Sequence, residues 1–271
     1  MAKRFLNKGE FIGVILLLIF LSSGMAEAIP HGNYAHPKIL IQPEELKSLL
    51  DKKDLHIRII DIRESQKYQS GHIPGAVHIW RPDIEDKKHS LPGMMAPQSQ
   101  IEELMGRLGI SPKNTLIISS DLYDHARLWW ALAYYGFPLN QMKLLDGGVD
   151  AWKAKGYPIE TASPRVERVE FIFPKNPKRG DSMLCTLPEV KEALKDSKKI
   201  VLDVRSRKEY IGEETKPGAV KPGRIPGVVW IEWKETVVED GPYKGYWKSA
   251  EEIKRIFSSK GVTPEKEIYL Y

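Results

Sequence analysis

Apolar and polar positions along this chain follow two alternating periods. Short apolar runs occur at 56–60, 76–79, 116–118 and 143–145, each bounded by Gly, Pro, Asp, Asn or Ser within a few residues. Such runs predict strands, and the fully apolar ones predict strands buried on both faces. Between them the apolar residues fall three and four apart. Residues 42–50 carry Pro43, Glu44 and Glu45 in their first turn and predict a short amphipathic helix. Residues 101–108 place Ile101, Leu104, Met105 and Leu108 on one face, and 127–135 predict a helix rich in Trp and Leu. A turn at Gly147 and Gly148 leads into a last short helix around Ala151 and Trp152. Strands alternating with helices predict an α/β fold, a mainly parallel sheet with helices on both faces.

The same order then starts again. Thr186 and Glu189 predict a capping box before a helix at 190–194, and Ser249 and Glu252 predict another before Ile253, Ile256 and Phe257. Strands are predicted at 200–202, at 228–231 and, as a buried strand matching 116–118, at 268–271. Three landmarks recur in one order. Asp61 and Arg63 reappear as Asp203 and Arg205; Gly71, Ile73, Pro74 and Gly75 reappear as Gly223, Ile225, Pro226 and Gly227; Gly109 and Pro112 reappear as Gly261 and Pro264. The offset is 142 residues at the first landmark and 152 at the others, so the second copy carries ten extra residues between them. A repeat of this length predicts two copies of one domain.

The expected division is a signal peptide at 1–28, a first domain at 37–160, a linker at 161–181 and a second domain at 182–271. Alternating charged and apolar residues predict an extended strand at 166–173 within the linker. In the first copy about 35 residues follow the strand at 116–118 before Gly156, whereas the second copy stops at the matching strand. The chain is therefore expected to be a fragment, with an open sheet edge in its second domain.

Composition narrows the classes of function. Net charge is +5, and the excess is dispersed, which suits a protein handling small anions and argues against nucleic-acid binding. Lys3, Arg4 and Lys8 precede an apolar run at 11–21, and Ala26 and Ala28 have the small-x-small form of a signal-peptidase site. Eleven apolar residues fit a signal h-region better than a membrane anchor. The mature chain is expected to begin near Ile29 and to work outside the cytoplasm, in a bacterial periplasm, with no stable membrane association. The single Cys185 has no partner in the chain for a disulfide.

The Asp-x-Arg pairs, the Gly-x-Ile-Pro-Gly loops and the segment Leu145, Asp146, Gly147, Gly148 and Trp152 together resemble the tandem-domain rhodanese sulfurtransferases, a group that includes thiosulfate and 3-mercaptopyruvate sulfurtransferases. The resemblance runs from about Pro37 to Tyr271. It implies two rhodanese-like domains, the first without catalytic function. It also implies a reactive Cys directly after the buried strand of the second domain, held as thiolate and persulfide by a nest of backbone N–H groups. A small anionic sulfur donor would load that Cys and a thiol or cyanide would unload it, with no cofactor and no metal.

No residue of the chain occupies that position, because the loop would begin directly after Tyr271. The corresponding residue of the first copy is Ser120, followed by Asp121. Two readings stand for these: a hydrolase site using Asp121, or a wall of the cleft. Cys185 is read as a small buried, inert residue, against the alternative of a nucleophile before a capped helix. Asp203 and Arg205 are candidates for supporting the active loop. Glu209 stands where the resemblance implies an Arg to clamp the donor, so Lys216, Lys221 and Arg224 become the candidate cations, and thiosulfate is favoured over 3-mercaptopyruvate. His72 and His78 have no ligand cluster at metal-binding spacing. The rival class is a non-catalytic rhodanese-fold scaffold.

Overall fold

The computed structural model describes residues 34–121, 123–174 and 183–271. The predicted signal segment and residues 175–181 of the predicted linker lie outside the described residues. No described helix is long and apolar enough to cross a membrane.

Five parallel strands form the first sheet: β1 (Leu40–Ile41), β2 (Ile57–Asp61), β3 (Val77–His78), β4 (Thr115–Ser119) and β5 (Met142–Leu145), in the order β1-β5-β4-β2-β3. Its helices are α1 (Pro43–Asp51), α2 (Ser65–Gln69), α3 (Gln98–Arg107), α4 (Asp124–Tyr134) and α5 (Gly148–Ala154). The period of two along each strand sorts the core. Ile57 and Ile59 of β2 and Ile117 of β4 pack with Leu46 of α1 and Val149 and Trp152 of α5. Ile60, Leu116 and Ile118 face the other way, against Ile101, Leu104 and Met105 of α3 and Leu128 and Leu132 of α4. Both faces are thus covered, as a parallel sheet requires.

The second sheet holds β6 (Lys199–Asp203), β7 (Val229–Trp230) and β8 (Glu267–Leu270), all parallel in the order β7-β6-β8. Helices α6 (Leu187–Ala193), α7 (Arg207–Ile211) and α8 (Ala250–Ser259) accompany it. The register repeats that of the first sheet: Leu202 pairs with Leu270 as Ile60 pairs with Ile118. Its core is smaller, with Leu202, Ile231 and Val262 at the centre.

The two expectations for 268–271, a buried-type strand and an open sheet edge, resolve in favour of the edge: Ile268 is 39% and Leu270 62% exposed, whereas Leu116 and Ile118 are fully buried. Among the described residues no strand pairs with its outer side and no helix covers that face, so the apolar pattern of β8 meets solvent.

Residues 160–173 lie on the first sheet's unit. Glu160 forms an antiparallel bridge with His72, the Val169 N–H donates to the Gly106 carbonyl at 3.0 Å, and Phe171 and Phe173 are buried in the core over α3. The segment predicted as a strand is extended but is not part of either sheet. Gly106 is what lets it approach: a Cβ there would lie 2.6 Å from the Val169 carbonyl oxygen. Gly106→Ala is expected to lift the segment and lower the melting temperature of the first unit by several degrees, about 1–3 kcal/mol for overpacking against backbone. A wild-type melting curve for this variant would show that the segment contributes nothing to the fold.

Candidate functional site

Both sheets present the same knot at the carboxyl end of corresponding strands, β2 in the first and β6 in the second. In the first unit the Arg63 Nη2 donates to Asp61 Oδ2 at 2.6 Å and to the Gly71 carbonyl at 2.8 Å, with Asp61 1% and Arg63 4% exposed. In the second, Arg205 donates to Asp203 through Nε at 3.0 Å and Nη2 at 2.7 Å, and Nη2 also reaches the Gly223 carbonyl at 2.9 Å. The Asp-x-Arg spacing turns a strand end back on itself. The arginine then fixes the first glycine of the Gly-x-Ile-Pro-Gly loop through a planar fork. These landmarks, far apart in sequence, are one hydrogen-bonded unit.

A ring buttresses each knot. The Trp230 Nε1 donates to the Arg205 carbonyl at 3.0 Å, and Tyr210 stacks on Trp230 with centroids 5.0 Å apart. In the first unit His78 Nε2 meets the Arg63 carbonyl at 2.8 Å, and Tyr68 stacks between His78 and His72 at 4.6 and 3.8 Å. Both histidines are thus engaged with backbone carbonyls and an aromatic ring. Among the described residues no group of three or more His, Cys, Asp or Glu side chains is placed to hold a metal ion.

Tyr271 closes the second knot. Its hydroxyl accepts from the Ile225 N–H at 3.2 Å and bonds Asp203, and the Arg205 guanidinium lies over its ring at 5.1 Å. Burial pushes the Tyr271 phenol up, aided by the Asp203 carboxylate and opposed by the Ile225 N–H. Burial opposes ionisation of Asp203, but the Arg205 side chain and backbone N–H and the Tyr271 hydroxyl outweigh it, so this carboxyl titrates below the ordinary aspartate value of 3.8. A folded pKa below the unfolded one gives stabilisation that is complete above the unfolded value and lost as the pH falls through the folded one. Asp203→Asn is therefore expected to destabilise the second unit at neutral pH, and the gap to wild type should close below about pH 4. Urea unfolding across that range checks it; a gap independent of pH would show that the Asp203 charge has no part in it.

The candidate cations occupy separate settings. Lys216 is exposed and pairs with Glu214 at 2.5 Å, and Lys221 is exposed. Arg224 stacks over the Tyr210 ring at 4.4 Å and donates to the Tyr210 carbonyl at 3.4 Å. Glu209, which stands where a clamp was sought, serves the first turn of α7: its N–H donates to the Ser206 hydroxyl and its carboxylate accepts from that hydroxyl at 2.8 Å.

In the first unit the loop after β4 carries Ser120, buried, and Asp121, in an ion pair with Lys67. Arg81 lies 3.5 Å from Asp124, whose carboxyl burial pushes up against the pull of Arg81 and Arg127. This loop walls a cavity of about 300 Å³ whose other side is the 233–247 segment of the second unit. The two units are tied beside it. Buried Asp146 accepts from the Trp247 N–H at 2.9 Å and from Gln42 Nε2 at 3.1 Å, and Tyr246 packs against Gly147. The sequence named Asp146 in a family segment and Tyr271 as a strand end but gave neither a partner, and it passed over Trp230, Trp233 and Trp247.

Cys185 requires a correction: it is exposed, not buried. It precedes α6, a helix of seven residues in which only Ala193 is buried.

A parallel α/β unit with an Asp–Arg knot at the end of one strand, a Gly-x-Ile-Pro-Gly loop pinned by it and a loop-to-helix turn after the neighbouring strand defines a rhodanese-type domain. The profile of the Rhodanese-like domain matches residues 42–155. The "Sulfur carrier protein TtuD" of Thermus thermophilus is 31% identical over 258 residues, spanning 88% of this chain and 83% of that protein. Human 3-mercaptopyruvate sulfurtransferase is 28% identical over 208 residues, 75% of this chain and 67% of that protein. The crystal structure of SseA from Escherichia coli, described as a 3-mercaptopyruvate sulfurtransferase with the rhodanese fold, superposes with a TM-score of 0.71 at 26% identity, covering 86% of this chain and 87% of that one. The chain belongs to the rhodanese family.

Proposed function

We propose that this protein is an exported sulfurtransferase that moves sulfane sulfur from a small anionic donor to a thiol or cyanide through a Cys persulfide in its second unit. The observation that carries this reading is the register of β8 on β6. It matches that of β4 on β2, so the position after Tyr271 corresponds to Ser120, at the head of the loop leading into α4. A cysteine there lies at the carboxyl ends of parallel strands, where open α/β sheets place their ligands. The Asp203, Arg205 and Tyr271 knot then holds the strand end from which its loop springs.

With thiosulfate as donor, the thiolate attacks the outer sulfur, the donor S–S bond breaks, and sulfite leaves with the electron pair. Cyanide or a thiolate next attacks the outer persulfide sulfur and restores the cysteine thiolate. Thiosulfate is favoured over 3-mercaptopyruvate because Glu209 is committed to capping α7 and supplies no positive charge. The exposed Lys216 and Lys221 draw the anion towards the second unit as flexible point charges, and Arg224, held on Tyr210, adds a fixed one.

The intact gene product, treated with thiosulfate and examined by mass spectrometry, is expected to gain one sulfur atom on a cysteine directly after Tyr271 and to form thiocyanate from cyanide. Replacement of that cysteine by Ser should abolish both. The 271-residue chain is expected to show neither. A different residue at that position would support a non-catalytic rhodanese-fold scaffold, and sulfur transfer by the 271-residue chain would move the chemistry to Cys185.

A further inference from the structure

His72 of the first unit and Arg224 of the second stand at the same place in the Gly-x-Ile-Pro-Gly loop, and each rests on the tyrosine of the preceding helix. Arg224 lies over the Tyr210 ring at 4.4 Å and donates to the Tyr210 carbonyl at 3.4 Å. His72 stacks on Tyr68 with centroids 3.8 Å apart and an interplanar angle of 9°, and its Nδ1 donates to the Tyr68 carbonyl at 2.9 Å. The socket is the same, a ring below and a carbonyl beside it. In the second unit it holds a permanent cation; in the first it holds a side chain that becomes one only on taking up a proton.

His72 is fully buried. A carbonyl only accepts, so the bond to Tyr68 fixes the proton of the neutral ring on Nδ1 and leaves a lone pair on Nε2. That Nε2 has no hydrogen-bond partner among the described residues, and Glu160 Oε1 lies 3.8 Å from it. Two acceptors thus face each other with no hydrogen between them. Glu160 is held there by its surroundings: its N–H donates to the His72 carbonyl at 3.0 Å, its carbonyl accepts from the His72 N–H at 2.9 Å, and its Oε1 accepts from the Gly75 N–H at 2.6 Å. Its side chain is 38% exposed, which opens the pair to solvent. The other titratable groups around the ring are already committed. Asp61 and Arg63, at the end of β2, pair with each other, and Arg63 also reaches the Gly71 carbonyl. His78 of β3 stacks on Tyr68 at 4.6 Å and meets the Arg63 carbonyl. The Tyr68 hydroxyl donates to the Ala76 carbonyl at 2.7 Å, and burial pushes its phenol up, so it stays neutral. Glu160 is therefore the carboxylate placed to answer a charge on Nε2.

We propose that His72 and Glu160 form a proton-operated latch between the glycine loop at 71–75 and the segment that leaves the first unit towards the second. As the pH falls, one proton from solvent adds to Nε2, and no other bond is made or broken. The new N–H donates to the Glu160 carboxylate, which closes the 3.8 Å gap by about 1 Å to a charge-assisted hydrogen bond. The charged ring then lies on Tyr68 as Arg224 lies on Tyr210. At higher pH the two backbone bonds and the Gly75 N–H hold the segment without this link. A histidine that gains a partner on folding contributes stability that is complete below its unfolded value and lost as the pH rises through its folded one. The latch needs the histidine charged and the glutamate ionised, so it acts between their ordinary values of about 6.5 and about 4.3.

The proposal does not rest on the persulfide reading, and its test reads no sulfur transfer. Imidazole resonances of the full chain are followed by NMR from about pH 8 to about pH 5, a range that spans ordinary histidine titration. His72 is assigned by the signal lost in His72→Gln. Should that variant fail to fold, the close contact of the ring with Tyr68 assigns it instead. His72 is expected to take up a proton on Nε2 within this range. Glu160→Gln keeps an acceptor for the Gly75 N–H but carries no charge, and its His72 should need about tenfold more acid, the effect of losing an opposite charge close by. Melting curves supply the second readout: wild type should gain a few degrees on Glu160→Gln between about pH 7.5 and about pH 5.5, where the histidine charges. With Gln at position 72 the Glu160 substitution should cost the same at both values. These comparisons read changes with pH, so a constant loss from altering a buried residue drops out, and His78 titrates alike in every variant. The latch is overturned if His72 stays neutral down to about pH 5, if Glu160→Gln leaves its titration unchanged, or if the melting gap is the same at both pH values.

Discussion

Asp61→Ala is expected to cost the first unit about 3–5 kcal/mol, the loss typical of removing one partner from a buried ion pair. The substitution strands the Arg63 guanidinium, 4% exposed, with the Gly71 carbonyl as its remaining acceptor among the described residues. Most of the penalty is that unpaired buried charge rather than the strength of the pair itself. Against a usual total stability of about 5–15 kcal/mol, the variant should be near unfolding at 37 °C. The surface pair Lys47 and Asp51 supplies the contrast. It is as short, at 2.6 Å, but Asp51 is 63% exposed, so Asp51→Ala should cost less than about 1 kcal/mol. Urea unfolding of the two variants decides the matter: equal losses would mean that burial does not govern the knot. Asp61→Leu combined with Arg63→Met should recover much of the loss, because the double replacement leaves no charge behind.

Gly148→Ala is expected to destabilise by about 2–5 kcal/mol, the sum of a left-handed backbone penalty and overpacking. Gly148 has φ +60°, and a Cβ there would lie 1.8 Å from the Ser120 carbonyl oxygen. Both partners are backbone, so no rotamer change relieves the clash; the β5-to-α5 turn or the loop after β4 must move. Gly156 isolates the first contribution, since it has φ +69° and nothing within 4 Å of an added Cβ. Gly156→Ala should therefore cost only about 1–2 kcal/mol. Calorimetric melting of both variants tests the difference. Equal effects would show that the approach of Ser120 to Gly148 is not tight in solution.

Much of the first unit was legible along the chain. The strands at 57–61, 115–119 and 142–145 and the helices at 43–51 and 98–107 follow directly from hydrophobic periodicity, because a sheet covered on both faces makes its strands apolar throughout. The elements that escaped, β1, α2 and α7, are two and five residues long, and α2 and α7 are mostly polar. Segments that short carry little more than one period, too few repeats to show a pattern, so neighbouring structure decides them. The same limit explains β8, whose apolar pattern predicts burial that its place at the sheet edge denies.

The candidate site divided along similar lines. Asp203, Arg205 and the glycine loop were visible as motifs because each repeats at a constant spacing. Their union into one knot was not, since the link from Arg205 to Gly223 spans 18 residues and the link from Asp203 to Tyr271 spans 68. Glu209 was read as a lost anion clamp, whereas the local Ser206 cap accounts for it.

By itself the sequence determined the α/β class through periodicity within each element, the repeated landmarks through comparison of its two halves, and a family through the motifs that resemble it. Only the tertiary structure decided that Asp146 ties the units together, that Tyr271 completes the Asp203 knot, and that rings from both units line one cavity. The physical reason is the range of the interactions. Periodicity reports how a residue meets its own strand or helix, whereas the tie and the cavity join residues about a hundred positions apart, brought together by the packing of one unit on the other.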